Sequence, residues 1–300
     1  MAVGPTLRAY FSLTKPGITS FIVMVAVAGF FTVSPTPVRW SALGWLVLSG
    51  WMGSAGSSAL NHWYDADIDA LMRRTLSRPI PSDTVPRNAA LVLGILLIAL
   101  SLLVAWVTLN PAVTVAIASG AFVYVVLYTT LLKRSSRWGI VIGGYAGSAA
   151  ALGGGAAVTG GFALPVVLLA VLVFLWTPPH FWSLAIALFS DYGELGLPVL
   201  PRGGHPADSA RAVAGSAALL LAPSALFATL SIHYLVFFVI SMGLGVWFVF
   251  RTTRTILETS RKNAMRAFIA SGLYLAGVAG AMVLNWALTV GLPLPFLGHA

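Results

Sequence analysis

Long apolar runs, separated by short polar or glycine-rich breaks, constrain this chain more than any other feature. A helix that crosses a bilayer needs about 20 apolar residues. Only 8% of the residues are charged and 58% are hydrophobic, whereas a soluble domain carries about 25% charged residues. We therefore predict a single all-α domain, residues 1–300, that is a polytopic membrane protein. Its nine predicted transmembrane helices cover 17–33, 40–60, 89–109, 112–132, 139–159, 163–189, 210–230, 234–250 and 267–290.

With nine spans, nearly all charged residues fall in loops on the same side of the membrane. Of the 17 basic residues only Arg39 falls on one side, and all eight acids share the other side with the remaining basic residues. By the positive-inside rule, the N-terminus and the long polar loops are predicted to be cytoplasmic in the inner (plasma) membrane, with the C-terminus outside. Asp and Glu contribute little to that rule, so their shared face indicates a functional surface.

Two function classes are excluded by composition. The net charge of +9 would suggest nucleic acid in a soluble protein, but here the positive-inside rule accounts for it, and we predict no nucleic-acid partner. The chain has no cysteine, which excludes disulfides, thiolate metal sites and cysteine nucleophiles.

A polar island at residues 61–82 stands between the second and third spans. Asn61, Asp65 and Asp69 recur every four residues, a spacing that places them on one face of a helix. Two carboxylates and an amide oxygen suit Mg²⁺, and Arg74 and Arg78 just downstream suit phosphate oxygens. The pattern predicts a diphosphate held through Mg²⁺. The alternative is a solvated loop in which acids and arginines merely pair.

A second polar island follows the sixth span and begins with Asp191 and Glu194. It has an acid first and a proline-bearing turn after, as the first island does. The echo suggests a two-part pseudo-repeat, 10–135 and 136–290, whose halves each supply one side of a shared site. We predict that Asp191 is a metal ligand; the alternative role is a helix-end cap. The role of Glu194 stays open.

Basic residues close several spans on the same face. Lys133 and Arg134 follow the fourth span, and Lys15 precedes the first. Such residues are usually anchors at the membrane edge. We predict that Lys133 and Arg134 contact the diphosphate, and the role of Lys15 stays open.

His180 lies inside the sixth span, directly after Pro178 and Pro179. Paired prolines are expected to kink the helix, and an intramembrane histidine is a functional candidate. The alternative is a structural histidine bonded to a backbone carbonyl. In the fifth span, the glycine-rich run 143–155 predicts close helix packing.

These parts imply ionisation of an allylic diphosphate. Mg²⁺ and cationic side chains would neutralise the leaving diphosphate. The carbocation would be shielded from water inside the helix bundle.

The residues resemble those of the UbiA superfamily of intramembrane prenyltransferases, and within it the heme O synthase (protoheme IX farnesyltransferase) family. The resemblance covers about residues 8 to 290. The motifs that carry it are Leu13-Thr14-Lys15-Pro16, Asn61…Asp65-x-Asp67-Ile68-Asp69…Met72-x-Arg74-Thr75-x2-Arg78-Pro79, Tyr128…Lys133-Arg134, Ala157-Val158-Thr159-Gly160, Pro179-His180 and Asp191-Tyr192…Pro198-x-Leu200-Pro201.

The resemblance implies a nine-helix bundle with a central cavity, in which a farnesyl group passes from farnesyl diphosphate to a vinyl group of heme b. It implies that Asp65, Asp69 and Asp191 bind Mg²⁺, that Asn61, Arg74, Arg78, Lys133 and Arg134 bind the diphosphate, and that His180 faces the heme. A heme A synthase would be the partner that accepts the product.

Two departures from that family's pattern bear on the acceptor. Ala150, Ala151 and Gly155 stand where the family usually has a Pro-Pro pair and an aromatic residue, and 202–206 replace its usual valines. The same-class alternative is therefore a UbiA-type prenyltransferase or cyclase with an aromatic or quinone-precursor acceptor. The non-enzyme alternative is a membrane heme-handling protein or transporter.

Overall fold

The fold is an all-helical bundle, seen in a computed structural model that describes residues 6–193, 196–199 and 206–291. In chain order the helices are α1 (Leu7–Leu13), α2 (Pro16–Thr32), α3 (Trp40–Tyr64), α4 (Ala66–Asp69), α5 (Arg87–Thr108), α6 (Pro111–Phe122), α7 (Gly139–Gly143), α8 (Tyr145–Thr159), α9 (Leu164–Ala187), α10 (Phe189–Gly193), α11 (Pro206–Leu219), α12 (Leu221–Leu230), α13 (Leu235–Leu257) and α14 (Arg261–Trp286). A π-helix, Val123–Leu132, continues α6, a 3₁₀ turn, Ile232–Tyr234, precedes α13, and a second π-helix, Ala287–Gly291, follows α14.

Local sequence explains where several helices begin. Pro16 and Pro111 occupy the first helical position of α2 and α6, where a missing N–H costs nothing. The side chain of Asn110 caps α6 by accepting a hydrogen bond from the Val113 N–H at 3.0 Å, and Ser260 caps α14 through the Asn263 N–H at 3.3 Å. Such caps satisfy backbone donors that the helix itself leaves unpaired.

Each of the nine predicted spans coincides with a helix or a pair of consecutive helices. Within the described residues, seven helical stretches are long and apolar enough to cross a membrane, or eight if α1 and α2, bent by 51°, form one span. The exception is α3, which has 25 residues but is lowered in hydropathy by the serines and glycines of 53–58. The protein is thus a multi-pass membrane protein, and the count of nine stays a prediction.

Small residues bring α2 and α8 together, as the glycine-rich fifth span predicted. A Cβ added at Gly154 would lie 2.0 Å from the Ala26 carbonyl oxygen, and one at Gly29 would lie 2.2 Å from that of Ala151. Backbone touches backbone here, a contact that only small residues allow. α2 also packs on α3, whose last turn carries Asn61 of the first polar island.

The two prolines of the sixth span do not interrupt it. Pro178 and Pro179 are buried inside α9, which runs from Leu164 to Ala187 as one helix. Prolines are tolerated inside a transmembrane helix because neighbouring helices can hydrogen-bond to the backbone carbonyls that the prolines leave unpaired. Its buried face packs mainly against α14, α8 and α11.

The sidedness of the loops can be tested by labelling, and the absence of natural cysteine leaves no background. We expect single cysteines at the exposed positions Ser82 and Thr259 to resist an impermeant thiol reagent in intact cells and to react in inverted vesicles. A cysteine at Phe162, which is 51% exposed and lies on the opposite predicted side, serves as the control and should show the reverse pattern. Labelling of Ser82→Cys from outside would refute the orientation.

Candidate active site

The first polar island folds into the centre of a charged cluster at one end of the bundle. Asn61 belongs to the last turn of α3, Asp65 joins α3 to α4, and Asp69 ends α4. All three are almost fully buried, and Asp65 has no exposed surface at all. The helical hydrogen-bond pattern continues across the junction, since the Asp65 N–H donates to Asn61 O and the Asp69 N–H donates to Asp65 O, both at 2.9 Å.

Asn61 and Asp65 bind groups from two other parts of the chain. The Asn61 amide donates to Asp65 Oδ2 at 2.7 Å and to Thr129 Oγ1 at 3.0 Å. Lys15 Nζ donates to Asn61 Oδ1 at 2.5 Å, and Lys133 Nζ forms an ion pair with Asp65 Oδ2. The cluster thus joins the α1–α2 junction, the end of α3 and the residue after the π-helix.

Asp69 is held by an arginine from its own loop. Arg78 Nη1 donates to both carboxylate oxygens, at 2.7 and 2.6 Å, and Thr75 Oγ1 donates to the Asp69 backbone carbonyl at 2.7 Å. His62 lies beside them, with Nδ1 4.0 Å from Asp69 Oδ2. Both nitrogens of this buried ring lack a hydrogen-bond partner in the described part of the chain.

Arg134 lies at the exposed rim of the cluster. Its guanidinium makes two hydrogen bonds to Asp67, at 2.6 and 2.7 Å, stacks 4.9 Å above the Tyr64 ring and approaches Asp65 Oδ1 to 3.8 Å. The hydrogen bond from Arg134 lowers the pKa of Asp67 to about 2. Because that pKa is lowered, the pair contributes stability above the ordinary carboxyl range and loses it only as the pH falls toward 2.

Of the remaining residues predicted for the charged site, one lies at the edge of the cluster, and the side chains of the others lie outside the described part of the chain. Arg74 donates to the Tyr192 hydroxyl at 3.0 Å and lies 5.3 Å from the centre of that ring. Asp191 belongs to α10, but its side chain lies outside the described part, as does Glu194.

A π-helix presents two of the cluster's side chains. Within Val123–Leu132 the Thr129 hydroxyl donates to Tyr124 O at 2.8 Å, and the Lys133 N–H donates to Tyr128 O at 2.8 Å, each five residues back. π-Helical turns are rare and are frequent at functional sites. Here the wider turn directs Thr129 toward Asn61 and Lys133 toward Asp65.

An apolar cavity of about 110 Å³ begins next to the cluster and extends between α2, α3, α6 and α8. Ser58 and Tyr124 line it near the cluster, and Leu46 lines it at the far end. Twelve residues separate Ser58 from Leu46, which at 1.5 Å per residue is roughly 18 Å of helix. The cavity therefore offers a long apolar space that runs along α3 toward the charged cluster.

His180 lies against α14 and does not line this cavity. Its ring is stacked on Trp176 at 4.2 Å and packs on Phe268 at 4.6 Å. Ser271 Oγ lies 2.5 Å from His180 Nδ1 and donates its single proton to Phe268 O at 2.5 Å. Ser271 must then accept from the imidazole, so Nδ1 carries the proton and Nε2 has the free lone pair.

The donor set of the cluster suits a hard divalent cation. Asp65 Oδ1 is buried and accepts no hydrogen bond from the described residues; the nearest cation among the ion pairs, Arg134 Nη2, is 3.8 Å away. A buried carboxylate oxygen without a hydrogen bond is costly. With the oxygens of Asn61 and Asp69, which now accept from Lys15 and Arg78, it would provide oxygen donors of the kind that Mg²⁺ prefers. Within the described residues no three His, Cys, Asp or Glu side chains gather around one point.

Sequence reasoning missed Thr129 and His62 and left Lys15 open. Thr129 stands four residues before Lys133 near a span end, and His62 directly follows Asn61; both signals were present but weak. Lys15, with a left-handed φ of 46°, caps α2, and only the tertiary fold brings it to Asn61.

Comparison with known proteins identifies the family. The sequence profile of the UbiA prenyltransferase family matches residues 22–278. The chain belongs to the UbiA prenyltransferase family. Its relatives within that family carry a more specific name.

A protoheme IX farnesyltransferase 1 from Cenarchaeum symbiosum is 38% identical over 96% of this chain and 99% of its own. A protoheme IX farnesyltransferase from Sinorhizobium fredii is 37% identical over 93% and 89%. Another from Roseiflexus castenholzii is 36% identical over 93% of this chain, which spans about half, 52%, of that relative's length.

Solved structures share the UbiA fold. A chain from a study of digeranylgeranylglyceryl phosphate synthase superposes with a TM-score of 0.76 at 19% identity, covering 93% of this chain and 98% of its own. A UbiA homolog from Archaeoglobus fulgidus, bound to GPP and Mg²⁺, gives a TM-score of 0.70 at 18% identity, covering 92% and 99%. The all-α, multi-helix architecture predicted from sequence is thus confirmed.

Proposed function

We propose that this prenyltransferase moves a farnesyl group from farnesyl diphosphate to a vinyl group of heme b, which gives heme O. The observation that carries the proposal is a set of buried acids, paired with partly exposed cations, near a long apolar cavity. A diphosphate with an isoprenoid tail has the same division into a charged end and an apolar chain. The name shared by full-length relatives supports heme as the acceptor.

Binding of the diphosphate would redistribute the pairs seen in the cluster. Lys133 and Arg78 now pair with Asp65 and Asp69. Phosphate oxygens are strong acceptors for both cations. When these cations turn to the diphosphate, with Asn61, Arg74 and Arg134 contributing further donors, the two carboxylates become free to bind metal.

The reaction begins when the bond between C1 of the farnesyl group and the diphosphate oxygen breaks. Mg²⁺, held by Asp65, Asp69 and Asp191, would neutralise charge on the leaving group. Lys133 and Arg78 stabilise the same charge as it develops. Tyr124, which lines the cavity beside the cluster, offers an aromatic face to the allylic cation, and the apolar walls exclude water.

The vinyl π-electrons of heme b then form the new carbon–carbon bond to C1. The positive charge moves to the carbon next to the porphyrin, where water adds and loses a proton, completing the hydroxyethylfarnesyl group. His180 would hold the heme, because its Nε2 lone pair is suited to iron. Ser271 would act as a positioning residue that keeps the proton on Nδ1.

We expect the two substrates to depend on different residues. His180→Ala should weaken heme binding and change the Soret spectrum of the purified protein, because the Nε2 ligand is lost. Its affinity for a non-hydrolysable farnesyl diphosphate analogue should stay within about threefold. Arg78→Gln should show the reverse pattern, since a charge-assisted phosphate contact is lost.

His233→Ala is the matched control for this experiment. His233 is exposed and lies in the 3₁₀ turn before α13, so the variant should bind both ligands as the unaltered protein does. An unchanged heme spectrum in His180→Ala, together with loss of the diphosphate analogue, would reverse the assignment and favour a non-heme acceptor.

Further features of the proposal concern where the enzyme works. We infer that the polar cluster faces the cytoplasm in the inner (plasma) membrane and that the C-terminus is outside, since the loops around the cluster carry most of the basic residues. We also propose that residues 10–135 and 136–290 are pseudo-repeats.

The product would pass to a heme A synthase, whose substrate is the farnesylated heme.

A further inference from the structure

A second cavity lies far from the charged cluster along the chain, where α13 ends and α14 begins. It has a volume of about 410 Å³, and arginines from both helices line it. Arg251 and Arg254 come from α13, and Arg266 comes from α14. Neither the metal motif nor the proposed reaction uses any of them.

The three arginines line one space, two of them are held by aromatic rings, and within the described residues none has an acidic partner. Arg251 stacks on Trp247 at 5.7 Å, and Arg254 stacks on Phe250 at 5.0 Å. Among the residues that the structure describes, Glu258 is the one acid that lines the cavity, and its carboxylate accepts from Asn263 Nδ2 at 3.2 Å. No ion pair joins any of the three arginines to an acid within the described residues.

The cavity therefore has an excess of positive charge. Three arginines and one glutamate give it a net charge of +2 from its lining residues. Like charges around one space repel one another, and an anion that enters relieves the repulsion. The positive-inside rule accounts for basic residues at this membrane edge, but it does not require them to converge on one cavity.

Apolar surface adjoins these arginines. Phe250 and Leu257 line the same cavity and are 50% and 76% exposed. An anionic phospholipid has both a negative group for the arginines and an apolar part for the exposed Phe250 and Leu257. Its phosphate would contact the guanidinium groups while its acyl chains lie along the apolar residues. Basic pockets between helices at a membrane edge are suited to such headgroups.

We propose that the cavity between the ends of α13 and α14 binds the phosphate headgroup of an anionic phospholipid. Arginine is well matched to this group, because its planar fork can make two parallel hydrogen bonds to phosphate oxygens. The site is separate from the diphosphate cluster and does not depend on which acceptor the enzyme uses.

The test is native mass spectrometry of the protein released from nanodiscs that contain equal phosphatidylglycerol and phosphatidylcholine. The unaltered protein should retain phosphatidylglycerol preferentially. Arg251→Gln with Arg254→Gln should weaken that retention at least about tenfold, since two cations at the membrane surface are removed. Arg8→Gln with Arg211→Gln, two exposed arginines outside the cavity, removes the same charge and should leave it unchanged.

Glu258→Gln provides a variant with the opposite expected sign. It removes the carboxylate from the cavity while its side-chain oxygen can still accept from Asn263, so phosphatidylglycerol should be retained more strongly. Each variant should still bind the farnesyl diphosphate analogue, which shows that it is folded. Equal retention in the cavity and control variants would overturn the proposal. Displacement of the lipid by inorganic phosphate alone would overturn the lipid assignment.

Discussion

Asp65→Asn is expected to lower prenyl transfer at least about a hundredfold, a loss comparable to removal of a main transition-state contact. Asp65 is completely buried and pairs with Lys133, and one of its carboxylate oxygens accepts no hydrogen bond from the described residues. The asparagine preserves the shape and one oxygen, but it removes the charge that metal binding requires. Release of diphosphate from farnesyl diphosphate, followed at fixed Mg²⁺ in purified protein, measures the effect.

Asp67→Asn is the matched control. Asp67 is two residues away, but it is exposed and pairs with Arg134 at the rim. Its replacement should leave the rate within about threefold, because exposed pairs contribute little. Retained heme binding in Asp65→Asn would show that the variant is folded. A rate near that of the unaltered protein in Asp65→Asn would remove the metal-site interpretation.

Gly29→Ala is expected to destabilise the bundle by about 2–3 kcal/mol, the upper part of the range for overpacking. The added methyl group would lie 2.2 Å from the Ala151 carbonyl oxygen. Backbone atoms cannot rotate away as a side chain can, so α2 and α8 must move apart. Because both helices line the apolar cavity, the separation should also weaken binding of the farnesyl diphosphate analogue. Thermal unfolding in detergent measures the loss.

Gly17→Ala is the control on the same helix. No atom of the described residues lies within 4 Å of a Cβ added at Gly17, so the substitution should be neutral or stabilise α2 by up to about 1 kcal/mol through helix propensity. Equal unfolding midpoints for the two variants would show that the α2–α8 contact is less close than described.

The sequence predicted the helical class and the core of the charged cluster. The spacing of Asn61, Asp65 and Asp69 placed them on one helical face, and that register survives the junction between α3 and α4. The sequence could predict this arrangement because the spacing of residues along a helix is a local property. The same holds for the glycine-rich fifth span, whose packing follows from residue size.

Contacts that depend on tertiary structure could not be predicted from the sequence. Lys15 reaches Asn61 across 46 residues, and Arg134 pairs with Asp67 at the rim. The π-helix that directs Thr129 and Lys133 has no clear sequence signal. The sequence around His180 gave no sign that Ser271, 91 residues further along the chain, fixes the tautomer of its imidazole.

The most direct test of the central claim is mass spectrometry of the hemes in cells that express this chain and contain no other heme farnesyltransferase. The account predicts a heme whose mass equals heme b plus one farnesyl group and one hydroxyl group. That product should be absent from cells that express Asp65→Asn. Only heme b in cells that express the folded, unaltered protein, together with a prenylated aromatic or quinone precursor, would contradict heme as the acceptor.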